Sequence, residues 1–275
     1  MESTEPMGQR ERRSGWDVDR ARDPQAYVRF LDHAGAGQRI RKLREQSYEL
    51  LEARPGMRLL DAGCGVGDDA RALARLVSPG GSVVGLDGSA VMVGEAVQRS
   101  EGLALAVEFI QGNIQALPFA DESFDGCRAE RVLQHVADPE AALAELIRVA
   151  RPGAMIVVTD SDHGMTALNG SDRRLTMKAL ACWAGAITNG WIGRQLPGMF
   201  TRHGLRDITI IPSASVYTSI VSHRGRLLRA VQGGVRHGVM TEAEADAFMA
   251  DQDDLDARGE FMLSTMLFAV AGRKQ

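Results

Sequence analysis

The stretch "LLDAGCGVGDDA", residues 59–70, decides how this chain can fold. An apolar strand runs into three glycines at alternate positions, Gly63, Gly65 and Gly67, and then into charge. Glycine has no Cβ atom, so a backbone of alternating glycines can approach a ligand closely. If the loop joins a parallel strand to the next helix, the first N–H groups of that helix face the ligand. The stretch therefore predicts an α/β domain with a nucleotide-like ligand at this loop.

Apolar strands and amphipathic helices alternate on both sides of the loop. This rhythm is typical of a mostly parallel, doubly wound sheet with helices on both faces. The last two strands have no helix of the usual crossover type between them, which favours an antiparallel final hairpin. Strands are predicted at 58–63, 82–87, 105–111, 123–130, 151–162, 205–219 and 259–274, and helices at about 68–77, at 90–100, after Asp138-Pro139 and near 193–203.

The order of these patterns predicts one α/β domain with additions. Charge without apolar periodicity at the start of the chain is typical of a disordered leader. Two helical stretches interrupt the second half and are expected to act as lids over a substrate. The predicted parts are a leader at 1–22, N-terminal helices at 23–56, a cofactor-binding core at 57–162, a helical insertion at 163–192, the C-terminal part of the sheet at 193–221 and 258–275, and a second helical insertion at 222–257.

Composition excludes several classes of protein. A net charge of −4 on 275 residues gives no electrostatic reason to expect a nucleic-acid partner. No apolar run approaches the ~18 residues of a membrane span, and the polar N-terminus lacks the core of a signal peptide. Three widely spaced cysteines, Cys64, Cys127 and Cys182, match neither a disulfide framework nor a zinc site. We therefore expect a cytoplasmic protein, and leave open that it forms homo-oligomers.

The acids around the glycines narrow the choice of ligand. No Lys-Ser or Lys-Thr follows the glycines, which excludes a triphosphate loop. A dinucleotide fingerprint needs a further glycine where the chain has Asp68, followed by Asp69, and two carboxylates there would repel a pyrophosphate. Asp61 adds a third acid, so the loop favours a ligand end that is neutral or positive, such as the ammonium and sulfonium of S-adenosylmethionine. Asp87 ends the second strand, where an acid accepts hydrogen bonds from both ribose hydroxyls.

With these segments in view, the chain resembles the class I S-adenosylmethionine-dependent methyltransferases. It is most similar to the branch that includes the ubiquinone/menaquinone-biosynthesis enzymes (methyltransferase type 11) and many small-molecule methyltransferases of bacterial secondary metabolism. The resemblance covers about residues 40–160 in the family's order. Its segments are "LLDAGCGVGD" (59–68), "VVGLDGS" (83–89), "GNIQALPFADESFD" (112–125), "RVLQHVADP" (131–139) and "VARPGAMIVVTD" (149–160).

This resemblance implies a Rossmann-like seven-strand sheet with an antiparallel last strand. It also implies S-adenosylmethionine as cofactor, S-adenosylhomocysteine as product, and an adenine pocket at Asn113 and Ile114. Many family members have Asp where this chain has Asn113, and the amide oxygen can still accept a bond from the adenine amine. The expected cofactor-binding residues are Asp61, Gly63, Cys64, Gly65, Gly67, Asp87, Gly88, Met92, Asn113, Ile114, Glu130 and Arg131.

His135 and Asp160 are the expected catalytic residues. His135 follows the fourth strand by one helical turn, and Asp160 closes the fifth strand at the same edge in the family fold. A histidine oriented by a carboxylate can deprotonate a hydroxyl or an amine. A structural histidine is the alternative. The acids of "TDSDHG" (159–164) lack the further ligands of a metal site, so no metal is expected.

The acceptor is expected to be a small, largely apolar or aromatic metabolite such as a quinone-like or natural-product molecule. Oxygen, nitrogen and carbon acceptors all remain open. No Pro-Pro-aromatic motif follows the fourth strand in "AERVLQHV", which disfavours adenine-amine methylation of nucleic acid. RNA or protein methylation and a catalytically silent cofactor-binding protein remain alternatives, while Asp68 disfavours a nicotinamide-dependent oxidoreductase.

Overall fold

A seven-stranded sheet forms the centre of the molecule in this computed structural model, which describes residues 18–35 and 37–275. Its strands are β1 (Arg58–Ala62), β2 (Ser82–Asp87), β3 (Val107–Gln111), β4 (Phe124–Glu130), β5 (Ala150–Leu168), β6 (Arg206–Tyr217) and β7 (Leu263–Arg273). They lie in the order β3-β2-β1-β4-β5-β7-β6. β7 is antiparallel to both β5 and β6, and the other pairs are parallel. The predicted Rossmann-like sheet with an antiparallel last strand is confirmed.

The binding edge of the sheet follows from this order. β1 pairs with β2 on one side and with β4 on the other. The order of the strands therefore changes direction between β1 and β4, with β2 and β3 on one side of β1 and β4 and β5 on the other. Loops that leave the carboxyl ends of two such strands diverge and open a crevice. The glycine loop after β1 and the segment after β4 therefore meet at one place.

Helices cover both faces of the sheet. Along β1 the side chains alternate, so that Leu59 joins the apolar cluster beneath the helices before and after β1, and Leu60 joins the cluster on the opposite face. Both leucines are fully buried, and each contributes about 1.5–3 kcal/mol to folding by that burial. The helices are α1 (Gln25–Gly35), α2 (Gln38–Leu50), α3 (Asp68–Leu76), α4 (Ala90–Gln98), α5 (Pro139–Val149), α6 (Arg173–Gly185), α7 (Ile192–Arg202), α8 (Arg224–Arg236) and α9 (Glu242–Ala257).

Two helix starts follow from cap residues that the sequence shows. The carboxylate of Asp138 accepts the N–H of Ala141, and Pro139 takes the first turn of α5. At α9 the Thr241 hydroxyl accepts the N–H of Glu244, while the Glu244 carboxylate accepts the N–H of Thr241. These two reciprocal bonds form a capping box, for which the spacing of Thr241 and Glu244 is typical.

The expected helical insertion at 163–192 is wrong in its first six residues. β5 continues to Leu168 and pairs there with the start of β7, with Ala167 opposite Ser264. Met165 and Leu168 have helical spacing, but Met165 is exposed on the strand. The helical part begins only at Arg173, because β5, β6 and β7 extend together beyond the parallel part of the sheet.

These extended strands carry a helical cap formed by α6, α8 and α9. The cap has an apolar cluster of its own, in which Leu175, Trp183 and Leu227 pack with Phe248 and Phe261. The two insertions predicted from the sequence therefore form one packed body.

The leader expected at 1–22 is only partly described. Residues 1–17 lie outside the described residues. Residues 18–22 are packed rather than disordered, since Val18 is buried against Val28 and Met92. The Asp19 carboxylate accepts the Ser89 hydroxyl (2.5 Å) and the N–H of Ala90 (2.9 Å), and so caps α4 beside the binding edge.

Candidate active site

The glycine loop has a backbone that requires glycine. Gly63, Gly65 and Gly67 all have positive φ, at 78°, 53° and 80°. A Cβ atom on Gly63 would lie 2.2 Å from a methyl carbon of Val132, a residue of the segment after β4. The N–H groups of Gly63 and Cys64 both donate to the carbonyl of Leu86, at 2.6 and 3.0 Å. The loop is thus held tightly between β2 and the segment after β4, and its exposed edge lines a cleft.

Asp87 stands at the end of β2, as expected for the ribose contact. Its carboxylate accepts the N–H groups of Gly65 and Ser89, each at 2.9 Å. Burial raises the pKa of Asp87, and these two backbone donors partly offset that effect. Each oxygen keeps lone pairs toward the cleft, which is the arrangement that two vicinal hydroxyls need. The same wall of the cleft holds the other residues expected at the adenosine end, Gly88, Met92, Asn113 and Ile114.

Asn113 is placed for the adenine contact, although its side chain already makes one bond. Its amide oxygen accepts the N–H of Gln115 at 2.9 Å, and it lies at the exposed rim of the cleft. Ile114 beside it is buried and presents an apolar surface. The oxygen of Asn113 has a second lone pair, so its role toward the adenine amine stays a prediction.

The acids of the glycine loop are neutralised within the protein, which the sequence did not indicate. Asp68 pairs with Arg71 at 2.5 Å, and Asp69 accepts the hydroxyl of Tyr48. Asp61 is fully buried, pairs with Arg128 at 2.9 Å and lies behind the cleft wall rather than on it. Repulsion of a pyrophosphate by these carboxylates is therefore weaker than the sequence suggested, because each has a cationic or hydrogen-bonding partner.

A buried ion network joins the glycine loop to the end of β4. Arg128, in the middle of β4, contacts Glu130 at 2.5 Å and Asp69 at 3.4 Å. Arg44 of α2 reaches both acids at 3.3 Å, and Arg131 reaches Glu130 at the same distance. Burial alone would raise the pKa of Glu130, but the three arginines outweigh it and hold that pKa well below its usual range. Glu130 and Arg131 line the cleft as expected, fixed by this network.

Two polar atoms in this region fit a zwitterionic ligand end. Within the described part of the chain, Oδ2 of Asp61 and Nε of Arg131 are buried and have no hydrogen-bond partner. Arg131 also has φ of 56°, a conformation that is uncommon for a residue with a side chain. Arg131 lines the cleft, so its Nε can donate to the carboxylate of a methionine moiety, whereas Asp61 lies behind the wall and can reach the ammonium only through water.

His135 is held by a chain of hydrogen bonds that reaches the helical cap. Nε1–H of Trp183 donates to Nδ1 of His163 (3.2 Å), and Nε2–H of His163 donates to Oε1 of Gln134 (3.0 Å). The Gln134 amide nitrogen donates to the Arg131 carbonyl (3.3 Å) and to Nε2 of His135 (3.0 Å). An indole nitrogen only donates and a carbonyl only accepts, so the two ends of the chain fix every donor between them. His163 is neutral with its proton on Nε2, and His135 is neutral with its proton on Nδ1.

The environment keeps both imidazoles neutral at pH 7. Burial lowers the pKa of His135 to about 4, and the nearby His163, Arg131 and Arg226 add to the effect. Burial and Arg226 lower the pKa of His163 to about 4 as well. A base with so low a pKa drives proton removal weakly at neutral pH.

Asp160 does not form the pair with His135 that the sequence suggested. The buried Asp160 carboxylate accepts the backbone N–H groups of Gln134 (3.2 Å) and Ser161 (3.1 Å). Burial raises its pKa to about 7. The segment 131–135 folds back over the end of β5, and so Asp160 binds its backbone while Gln134 takes the imidazole. Asp160 lies outside the residues that line the cleft, which makes it a positioning residue for this segment.

The cleft is large enough for two molecules. It has a volume of about 2140 Å³ and runs from the glycine loop to the helical cap. A single small ligand usually occupies about 300–1,000 Å³. The cleft therefore has room for two small molecules, and His135 is one of the residues that line it.

Comparison with known proteins assigns the family. The family described as "Methyltransferase domain" matches residues 53–209, more than half of the chain and the part that carries β1 to β5 and the start of β6. This chain therefore belongs to the methyltransferase-domain family. The positive-φ glycines, Asp87 and the orphaned polar atoms beside the loop fit S-adenosylmethionine, the cofactor expected from the sequence.

Three similar proteins illustrate the range of the match. An uncharacterised 37.1 kDa protein of transposon Tn4556 from Streptomyces fradiae is 40% identical over 69% of this chain and 55% of its own length. A demethylmenaquinone methyltransferase from Desulfitobacterium hafniense is 37% identical over 42% of this chain and 47% of its own. The crystal structure of YcgJ from Bacillus subtilis shares the fold at TM-score 0.60 and 18% identity, over 84% of this chain and 97% of YcgJ. The chain spans about half the length of the curated relatives it matches.

Residues 18–35 and 37–275 contain neither a membrane-spanning helix nor a cluster of metal-ligating side chains. No helix there is long and apolar enough to cross a membrane. No three acidic, histidine or cysteine side chains there are grouped to hold a metal ion. Cys64, Cys127 and Cys182 are all free thiols and all buried.

Proposed function

We propose that the protein transfers the methyl group of S-adenosylmethionine to a small molecule bound between the glycine loop and the helical cap. The observation that carries this proposal is the single cleft that joins the two. At the cap end its apolar and aromatic lining suits a ring system or an aliphatic body. That lining comprises Val136, Trp183, Ile187, Val216, Tyr217 and Leu267.

For this reaction the protein mainly has to align the two reactants and exclude water. When bound, S-adenosylmethionine supplies a methyl group on a sulfonium that is already activated for in-line displacement. The glycine loop and Asp87 would hold the cofactor end, and the cap would orient the acceptor and keep water out. Holding two reactants in line provides much of the rate enhancement of such a reaction.

His135 is proposed to contact the acceptor as a neutral imidazole. In the geometry described above, its Nε2 lone pair accepts a hydrogen bond from Gln134 and its Nδ1 carries the proton. A proton transfer to His135 would require that bond to Gln134 to break. The role of general base is therefore proposed only for an acceptor that is itself acidic.

A binding measurement and a labelling measurement test the proposal. S-adenosylmethionine should bind in calorimetry and NADH should not. Incubation with methyl-labelled cofactor and the low-molecular-mass fraction of a bacterial extract should then give a labelled small molecule. Label that appears instead in added RNA or protein would contradict the small-molecule acceptor, and cofactor binding without any transfer would favour a silent binding protein.

A further inference from the structure

The backbone that carries His135 depends on side chains for its hydrogen bonds. The segment from Arg131 to Val136 is neither helix nor strand, and it begins at the uncommon positive φ of Arg131. Backbone N–H and C=O groups away from water need partners, which a helix or a sheet would supply within itself. The conformation of this segment, and with it the position of His135 in the cleft, therefore depends on the groups that bind its backbone.

Side chains of opposite hydrogen-bonding character hold the segment from two sides. On the side of β5, the buried carboxylate of Asp160 accepts the N–H groups of Leu133 and Gln134. On the other side, Nδ2 of Asn189 donates to the carbonyls of Leu133 (2.7 Å) and Val136 (2.8 Å). The backbone N–H of Asn189 also donates to the carbonyl of Gln134 at 3.0 Å. Asn189 alone thus binds three carbonyls of the segment.

Asn189 belongs to the turn between α6 and α7, which follows directly on a helix of the cap. This turn is tied to β5, because the carbonyl of the next residue, Gly190, accepts the N–H of His163 at 2.8 Å. Ile187, in the same turn, lines the cleft at its cap end. An acceptor that packs on Ile187 would therefore lie against the turn that holds the backbone of His135.

The contacts of Asn189 require the donors of an amide. Nδ2 carries two hydrogens, and each has a carbonyl of its own, so both are used. An aspartate has nearly the same shape but no donor, and its oxygen would face the two carbonyl oxygens instead. That substitution would push the segment away from the turn without changing the volume of the side chain.

We propose that Asn189 is a positioning residue for the methyl transfer. It fixes the backbone of residues 133–136 from the side of the cap, so that His135 keeps its hydrogen bond from Gln134 and its place beside the acceptor. Asn189 itself lies outside the residues that line the cleft, so it acts through this segment alone. The proposal rests on the proposed function and adds to it a residue that contacts neither cofactor nor acceptor.

The rate of transfer per cofactor-binding site separates positioning from stability. The full-length wild type and its variants are titrated with S-adenosylhomocysteine in a calorimeter, which gives the number of sites and their affinity. Parallel samples are incubated with methyl-labelled S-adenosylmethionine and the low-molecular-mass fraction of a bacterial extract. The initial rate of small-molecule labelling is then divided by the number of sites. A variant that is only less stable would have fewer sites but an unchanged rate per site.

An exchange of amide for acid gives the sharpest variant. N189D should lower the rate per site about tenfold or more, since a misplacement of about 1 Å can cost about a hundredfold. Its affinity for S-adenosylhomocysteine should stay within about threefold of the wild type. N189A, which loses the donors without adding repulsion, should have an intermediate rate, and it decides if N189D does not fold. N169D is the matched control, because Asn169 donates to a carbonyl within the cap, that of Glu260 at 3.0 Å, and its rate should be unchanged.

Spectra of ¹⁵N-histidine protein at pH 7 give a second readout that needs no acceptor. N189D should leave a mixture of tautomers at His135, because the displaced segment loses the bond from Gln134, whereas N169D should not. A wild-type rate per site in N189D, or a single unchanged tautomer of His135 in that variant, would overturn the role of Asn189. Wild type that binds S-adenosylhomocysteine but labels no small molecule would contradict the proposed function itself, and the spectra would then still show whether Asn189 fixes His135.

Discussion

The side-chain carboxylate of Asp87 holds the neighbouring backbone at the proposed cofactor site. Its carboxylate accepts two N–H groups, from Gly65 and Ser89, and is proposed to accept two ribose hydroxyls. We expect D87A to weaken S-adenosylhomocysteine binding about a hundredfold or more, because charge-assisted bonds are lost while the loop loses an anchor. Calorimetry measures this, with D246A at an exposed position of α9 as control. Binding within about threefold of the wild type would remove Asp87 from the site.

The backbone conformation of Gly63 leads to a second prediction about a single residue. An alanine there would combine φ of 78° with a Cβ atom 2.2 Å from Val132. We expect G63A to lose about 1–3 kcal/mol of unfolding free energy and to bind the cofactor poorly. G94A is the control, since Gly94 lies inside α4 with open space around it and should gain about 0.5–1 kcal/mol. Urea denaturation compares the two variants, and equal effects would contradict the steric argument.

Between elements, the hydrogen bonds from Trp183 to His135 connect the cap with the segment after β4. Their donors are fixed at both ends, so the tautomers are predictable: His163 protonated on Nε2 and His135 on Nδ1. NMR spectra of ¹⁵N-histidine protein at pH 7 should show these two neutral tautomers. Q134L should leave a mixture of tautomers at His135, while His163 keeps its proton on Nε2 because Trp183 still donates to its Nδ1. Q252L, which breaks a bond between α9 and Asn169, should change neither residue. Charged imidazoles in the wild type would contradict the assignment.

The elements that carry the family's motifs were predictable from the sequence, because each combines a local pattern with a cap or a glycine turn. The alternation of strands and helices gave β1 to β5, and the acids and glycines gave Asp87 and the loop. The extension of β5 was not predictable, since its partners are more than ninety residues away at the start of β7 and the spacing of Met165 and Leu168 matches a helix equally well. Local periodicity cannot distinguish these cases.

The parts of the site that could not be predicted from the sequence are all contacts between segments that are distant along the chain. Arg128 stands in a buried strand, where an arginine must pair with acids, but the sequence does not say which ones. Its partners, Asp61 and Asp69, were instead interpreted as charges facing the ligand. In the same way Gln134 replaced Asp160 as the partner of His135, because only the folded chain brings the relevant backbone N–H groups to that carboxylate.

For the whole molecule, the buried neutral imidazoles make stability depend on pH. In the unfolded chain His163 has its ordinary pKa of 6.5, and in the folded protein burial lowers that pKa to about 4. Between these values the unfolded state binds more protons than the folded state, so the free energy of unfolding falls as the pH is lowered. The contribution is complete above pH 6.5 and is lost progressively toward pH 4. His135 acts in the same direction, while Asp160, with its pKa raised to about 7, acts in the opposite one.

A comparison of variants isolates the part due to His163. The other groups are present in both wild type and H163Q, so their contributions largely cancel in the difference of unfolding free energies. On going from pH 7.5 to pH 5, the wild type should lose about 2 kcal/mol more than H163Q, since each pH unit below the unfolded pKa is worth about 1.4 kcal/mol. H237Q, at an exposed position after α8, should follow the wild type. Urea denaturation at the two pH values measures these differences. Equal losses of unfolding free energy in wild type and H163Q would show that His163 is not held neutral by the hydrogen bonds between Trp183 and His135.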